Sequence, residues 1–390
     1  MSKDNYRRYQ NSVLVAMCIA IFVPNFVHYQ LSPLAEELMS DLHLSQKQFS
    51  FLFSAPMIPS VFLSLVAGIL VDRYNSKRVM GLVILVSTIG SIINLFAGSY
   101  PAMLIAFILM GITAGFLNTC NSKLLGGWFQ PKQVSSRLGI VLACSTGAMT
   151  IAMATTAYFS GRKAAFTFST ILFVIVLAVW WIAYKEPEKK AEQAGGESVG
   201  ASLKVVTGNR NVWLIGLCLF FIMGGHLVAS SYLPTVLAER GIEQVAAGYY
   251  SSAYTLGHLL SCFLAPFIAS KAGGCKKLFP VFAVLGALGV ALSWRAPAGI
   301  LLGLLQLLTG FCVGAGIPLL MSLPIQLEGI GPRYAGTAGG LTATIQILGA
   351  IVLPTFVLVP ISGGNLAVMF ILGGVCMAAY GALSLRLKVD

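Results

Sequence analysis

Long apolar stretches separated by short polar turns recur twelve times along the chain, at about 12–34, 46–71, 79–98, 102–127, 136–159, 165–184, 211–237, 246–270, 278–294, 299–327, 335–360 and 365–385. A helix needs roughly 20 apolar residues to cross a hydrocarbon core, and these stretches match that length. In lipid every backbone polar group must be satisfied internally, which a helix does by itself. The pattern therefore predicts an all-α membrane protein with 12 transmembrane helices. The rhythm also repeats. The first stretch ends Leu31-Ser32-Pro33-Leu34-Ala35-Glu36-Glu37 and the seventh Leu233-Pro234-Thr235-Val236-Leu237-Ala238-Glu239, so Pro33 and Pro234 lie 201 positions apart. Asp72, ending the second stretch, matches Ser270 at an offset of 198, and Gly111 and Gly115 on the fourth match Gly310 and Gly314 on the tenth at 199. Three similar offsets on different helices predict two pseudo-symmetric six-helix bundles, over 1–184 and 211–390. Between them Lys185-Glu186-Pro187-Glu188-Lys189-Lys190 runs into Ala194-Gly195-Gly196-Glu197-Ser198. That charged, small-residue segment predicts a flexible cytoplasmic linker over 185–210.

Composition agrees with a polytopic membrane protein: 57% of the 390 residues are hydrophobic and 10% charged, against about 25% charged in soluble domains. The net charge of +12 is distributed by topology. With the amino terminus inside, 20 of the 25 Lys and Arg fall on the inner side, and only Lys47, Arg162, Lys163, Arg240 and Arg295 fall outside. This asymmetry follows the positive-inside rule and predicts both termini in the cytoplasm of a multi-pass protein of the cytoplasmic (inner) membrane. It makes the lipid bilayer, not nucleic acid, the partner of the basic charge. The eight cysteines lie mostly inside the stretches, with no Cys-x-x-Cys pair, and are expected as free thiols. The first stretch is too long for a signal-peptide core and is expected to stay in the protein. No Gly-x-x-x-x-Gly-Lys-Ser/Thr loop, Gly-x-Ser-x-Gly elbow, His-Glu-x-x-His pair or carboxylate cluster occurs. The chain thus offers no machinery for ATP hydrolysis or enzymatic catalysis, no metal site and no cofactor motif.

Gly68, Asp72, Arg73, Lys77 and Arg78, at the inner end of the second stretch, resemble the Gly-x-x-x-Asp-Arg-x-Gly-Arg-Arg signature of the major facilitator superfamily, with Asn75 where the family usually has Gly. The resemblance implies the major facilitator fold, a central cavity between the halves and alternating access. The signature also has a physical reading: an Asp beside several cations at a helix end can form an ion-pair network that must break for inward opening. Gly68, Asp72, Arg73, Lys77 and Arg78 are therefore the candidate gating residues, with topogenic charge the alternative for the cations. Arg333, in Gly329-Ile330-Gly331-Pro332-Arg333, joins them as a gating candidate. The stretches around Trp128-Phe129-Gln130-Pro131 and around Arg333 are weakly similar to cyanate-permease-like and small organic-anion branches. The chain lacks the span-two and span-eight arginines of nitrate porters and the Gly-Pro-rich span five of drug antiporters.

Ionisable groups at bilayer depth are expensive and are functional candidates by default. All 13 acidic residues lie outside the stretch cores, which disfavours a cationic substrate and leaves anionic or neutral ones. Asn25, His28 and Ser32 share one face of the first stretch, as do Gly111, Gly115, Asn118 and Asn121 on the fourth. His226 follows Gly224-Gly225 on the seventh, and Tyr254 and His258 are one turn apart on the eighth. The resemblance puts spans one, four, seven and ten around the cavity, so Asn25, His28, Asn118, Asn121, His226, Tyr254 and His258 are the candidate substrate-binding residues. Each also has a plainer reading as inter-helix hydrogen-bonding glue. Histidine can change charge near neutral pH, so a protonated imidazole could accompany an anion without any carboxylate. Lys123, one turn inside Trp128, is either a snorkelling cation or an anion attractor at the inner mouth. Pro318, Pro324 and Pro354 can bend their helices, and Gly336, Gly339 and Gly340 permit close helix approach.

The leading expectation is a secondary transporter of a small anionic or polar metabolite, with a proton or a counter-transported anion as coupling partner, acting as a monomer. The alternative is efflux of neutral or lipophilic compounds through a cavity rich in Met and Phe. A membrane-embedded enzyme and a flux-free sensor are the other classes, and no motif or soluble domain supports either.

Overall fold

The computed structural model describes residues 3–63, 74–129, 131–186 and 199–387. Among them eleven helices are long and apolar enough to cross a membrane. The remaining expected span, 46–71, is described only to residue 63, and Gly68, Asp72 and Arg73 lie outside the described residues. The chain divides into two compact units, Met1–Leu44 with Leu52–Gln193, and Ser45–Phe51 with Ala194–Asp390.

Unit 1 contains α1 (Lys3–Gln30) and the short α2 (Ala35–Asp41). The second span begins as α3 (Gln46–Ser54) and continues through a tight turn at Ala55–Met57. Then follow α4 (Ser76–Phe96), α5 (Tyr100–Gly126), α6 (Pro131–Thr155) and α7 (Arg162–Ala183). Unit 2 has the short α8 (Val199–Gly208), then α9 (Arg210–Glu239), α10 (Gln244–Lys271), α11 (Leu278–Leu292) and α12 (Ile300–Ser322). It ends with α13 (Gly331–Val352), a π-helical turn at Leu353–Leu358, the short α14 (Val359–Ser362) and α15 (Leu366–Ser384). Pro354 sits in the π turn, where its missing N–H is absorbed by the wider winding. Pro324 opens a tight turn just after α12, and Pro318 lies within that helix.

Local chemistry sets several helix starts. Asn75, Asn209 and Asn365 each accept a backbone N–H in the first turn of α4, α9 and α15, at 3.0, 2.9 and 3.1 Å. Short polar side chains at such positions satisfy donors that the helix itself leaves unpaired. Asn75 thus has a structural use in place of the family's usual Gly.

The two units repeat one set of pairings. In unit 1, α1 packs on α6 and α7, and α4 packs on α5 and α7. In unit 2, α9 packs on α13 and α15, and α11 packs on α12 and α15. The tightest crossings repeat as well. A Cβ on Gly111 would strike the backbone of Pro56, and one on Gly115 would meet the Ser60 hydroxyl at 2.5 Å. In unit 2 a Cβ on Gly310 would strike the carbonyl of Tyr254, and one on Gly314 the ring of His258. Pro56 to Tyr254 and Ser60 to His258 are both 198 positions, the offset that relates Asp72 to Ser270. Glycine is required at 111 and 310 because backbone meets backbone, and at 115 and 314 because a side chain of the facing helix fills the space; such close approach holds helices together where lipid removes any hydrophobic drive.

The end of unit 1 where α4 begins is tied by hydrogen bonds. Glu186 accepts from the Ser76 N–H at 3.1 Å, the Ser76 hydroxyl at 2.9 Å and the Lys77 N–H at 2.9 Å. The carboxylate caps the positive end of α4. The Trp180 indole donates to the Lys77 carbonyl and the Trp128 indole to the Lys185 carbonyl, both at 3.0 Å. Lys185 and Glu186, which the sequence places at the start of a linker, are therefore packed into this unit.

Substituting Gly310→Ala should lower the thermal unfolding midpoint of the purified protein, because overpacking a tight contact costs about 1–3 kcal/mol. Gly303→Ala serves as the control, since its Cβ would meet only the Tyr250 ring at 3.9 Å. Equal midpoints for the two variants would contradict the crossing as described.

Candidate functional site

Three of the residues singled out from the sequence meet inside unit 2. His226 sits midway along α9, directly after the glycine pair Gly224–Gly225 that lets α15 approach. Tyr254 and His258 lie one turn apart on α10, on the face that α12 crosses at Gly310 and Gly314. The Tyr254 hydroxyl and His226 Nδ1 are 3.1 Å apart, and the two rings stack with centroids at 5.9 Å. The His226 and His258 rings meet edge to face with centroids at 4.6 Å. Relative exposures are 2% for His226, 1% for Tyr254 and 8% for His258.

The cluster is incompletely satisfied. His258 Nδ1 is buried and has no hydrogen-bond partner. Such an orphaned group costs about 1–3 kcal/mol until something pairs with it. A neutral imidazole there offers one donor and one acceptor, and an imidazolium offers two donors. Nearby hydroxyls are turned inward to their own helices: Ser230 donates to the His226 carbonyl at 2.8 Å and Ser261 to the His258 carbonyl at 2.7 Å. No Asp or Glu is buried among the described residues. Any negative charge entering the cluster would therefore meet imidazole and phenol, with no resident carboxylate to oppose it.

In unit 1 the candidates separate. His28 Nε2 contacts the Phe53 carbonyl at 2.6 Å, and its ring packs on Tyr29 and Phe53 with centroids at 4.8 and 4.6 Å. That nitrogen ties α1 to α3. Asn25 Nδ2 donates to the Ile21 carbonyl of its own helix at 2.8 Å. Asn118 is exposed. Asn121 is 2% exposed, and neither atom of its amide has a hydrogen-bond partner, which makes it the unit 1 counterpart of His258 in being buried and unsatisfied. The Pro33–Pro234 offset of 201 pairs Asn25 with His226, so the repeat carries an amide in one half and an imidazole in the other.

Of the gating candidates, the Lys77 ammonium lies over the Trp181 ring at 5.9 Å and its N–H is held by Glu186. The Arg78 N–H donates to Asn75. Arg333 lies in the first turn of α13 and Lys123 in the last turns of α5; their side chains lie outside the described residues. Glu186 and Gln30 were not foreseen. Gln30 is fully buried; its Oε1 accepts from Ser169 at 2.5 Å, while its Nε2 has no partner. A polar residue two positions beyond His28 in an apolar stretch was the available signal.

Residues 13–354 match the sequence profile of the Major Facilitator Superfamily. The nitrite extrusion protein of Bacillus subtilis strain 168 is 25% identical over 324 residues, covering 82% of this chain and 79% of that protein. The probable sulfoacetate transporter SauU of Cupriavidus necator is 22% identical over 362 residues, covering 86% and 83%. The crystal structure of a bacterial homologue of the human lysosomal transporter Spinster superposes with a TM-score of 0.76 at 14% identity, covering 99% of this chain and 96% of that one. Profile, relatives and fold agree with the repeated six-helix pattern, and the chain belongs to the Major Facilitator Superfamily of multi-pass membrane transporters.

Proposed function

We propose that this transporter moves a small anion by alternating access, and that His226, Tyr254 and His258 form the unit 2 part of its substrate site. The observation that carries the reading is the unpaired Nδ1 of His258, buried beside His226 and Tyr254 in a membrane span. An anion that brings a proton, or finds the imidazole already protonated, pairs that nitrogen and is paired by it. The absence of buried carboxylates among the described residues supports an anion over a cation. Two relatives are named for anions, nitrite and sulfoacetate, and they support the same class. Asn121 is the unit 1 residue best suited to contribute, since both its amide atoms are unmet. The Asp72 and Arg73 signature is assigned to inner-side gating on the family resemblance. On this reading both termini lie in the cytoplasm, as the charge asymmetry of the sequence suggests, with a proton or a counter-transported anion as coupling partner and the monomer as functional unit.

Proteoliposomes should take up nitrite or a short sulfonate in a saturable manner that the other anion competes, with His258→Ala lowering the rate at least tenfold. Uptake of lipophilic compounds alone, indifferent to His258→Ala, would instead establish drug-type efflux. Tyr254→Phe keeps the ring and removes the hydroxyl that meets His226. A hydrogen bond of this kind contributes about 0.5–1.5 kcal/mol net, so anion affinity should fall severalfold with little change in protein yield. Unchanged affinity would remove Tyr254 from the site.

The orientation is testable at Cys275, between α10 and α11. In a variant with Cys275 as its sole cysteine, a membrane-impermeant maleimide should label inside-out vesicles and spare right-side-out ones. Burial raises the Cys275 thiol above its ordinary value. Less thiolate is present at neutral pH, so labelling should quicken at higher pH than for a free cysteine. Labelling of right-side-out vesicles would invert the topology.

A further inference from the structure

Two of the five cations that the positive-inside pattern assigns to the outer side, Arg162 and Lys163, stand together in the wall of one cavity in unit 1. The cavity has a volume of about 330 Å³ and lies where the end of α4, the turn at Ala97 and Gly98, and the first turn of α7 meet. That volume is at the lower end of small-molecule clefts, roughly 300–1,000 Å³. Topogenic logic gives no reason for cations on this side, so their presence calls for another cause.

Three features of the wall point to a ligand. Arg162 is held by its Nε, which pairs with Asp41 at 3.0 Å, and its N–H donates to Glu37 at 2.8 Å. Neither carboxylate lines the cavity. The Lys163 side chain is exposed and has no partner among the described residues, so its charge is uncompensated. The third feature is Asn94, which lines the same cavity at 4% exposure and whose Oδ1 has no hydrogen-bond partner. A simple anion would satisfy the cations and leave that acceptor unmet.

We propose that this cavity is an anion-binding site distinct from the His226–His258 cluster, and that its ligand is a phosphate or carboxylate that also carries a hydroxyl. The anionic oxygens pair with Lys163 and with the nitrogens of Arg162 that Asp41 leaves open. The hydroxyl donates to Asn94 Oδ1, and the ring of Phe166 covers the carbon skeleton. A soluble hydroxylated anion and the phosphoglycerol headgroup of an anionic lipid share this chemistry.

The test uses the purified full chain and glycerol phosphate as the probe, read by calorimetric titration and thermal shift in neutral detergent. In parallel, the protein is placed in nanodiscs of phosphatidylglycerol or phosphatidylcholine. For a soluble ligand, glycerol phosphate should bind and raise the midpoint. Lys163→Gln should weaken it at least tenfold and Lys163→Arg should restore it. Asn94→Leu should weaken glycerol phosphate while leaving inorganic phosphate within twofold, a selectivity that mere destabilisation would not produce. For a lipid headgroup, glycerol phosphate should not bind, and phosphatidylglycerol discs should stabilise the wild type more than Lys163→Gln. Lys163 is exposed, so Lys163→Gln decides the matter even where Asn94→Leu fails to fold. The proposal is overturned if no probe distinguishes wild type from Lys163→Gln, or if His258→Ala abolishes glycerol phosphate binding. Neither result depends on transport, so failure here leaves the anion-transport reading untouched.

Discussion

At the crossing of α10 and α12 the backbone of one helix lies against the backbone of the other, and the position of the candidate site depends on that contact. Gly310 leaves room for the Tyr254 carbonyl and Gly314 for the His258 ring. Any side chain at either position would push α10 away and carry Tyr254 and His258 with it. In a bilayer the apolar surface of a helix is as comfortable against lipid as against protein, so close approach and interhelical hydrogen bonds must supply the association. Unit 1 uses the same device where Gly111 and Gly115 meet Pro56 and Ser60. The repeat therefore conserves a steric contact between the halves of the sequence, while the side chains framing it differ. One half places Pro and Ser against the glycines; the other places Tyr and His.

That divergence is where the proposed anion site lies. The architecture is duplicated, but the imidazole pair exists only in unit 2, where His226 and His258 meet around Tyr254. The corresponding position to His226 in the first half is Asn25, whose amide nitrogen donates to the Ile21 carbonyl of its own helix. A buried imidazole with an unmet nitrogen is costly in a membrane span, and it persists because the surrounding helices are locked by the glycine crossing. The reading of this cluster as half of an anion site rests on that cost and on the scarcity of buried negative charge.

Charge elsewhere is kept to the helix ends. Glu186 caps the start of α4 at one end of unit 1, and Glu37 and Asp41 engage the first turn of α7 at the opposite end. Glu186 and Glu37 satisfy helix amides that have no intrahelical partner, while Asp41 pairs with the Arg162 side chain. The acids that the sequence shows to be absent from the span cores are thus employed in joining helix ends, where water and partial helix charges lower the cost of ionisation.

The twelve spans, the internal repeat and the family were legible in the sequence, because a bilayer tests each stretch separately for length and apolarity. The polar residues worth attention were legible for the same reason: His226, Tyr254, His258 and Asn121 stand out against an apolar background. Periodicity could place them on helix faces but could not pair those faces. Only the folded chain decides that His226 meets Tyr254 and His258, that His28 is bound to the Phe53 carbonyl, that Asn118 is exposed and that Glu186 belongs to the end of α4 rather than to a linker. Hydropathy is a property of one segment at a time. A shared hydrogen bond or a backbone crossing is a property of two, and their meeting is set by packing.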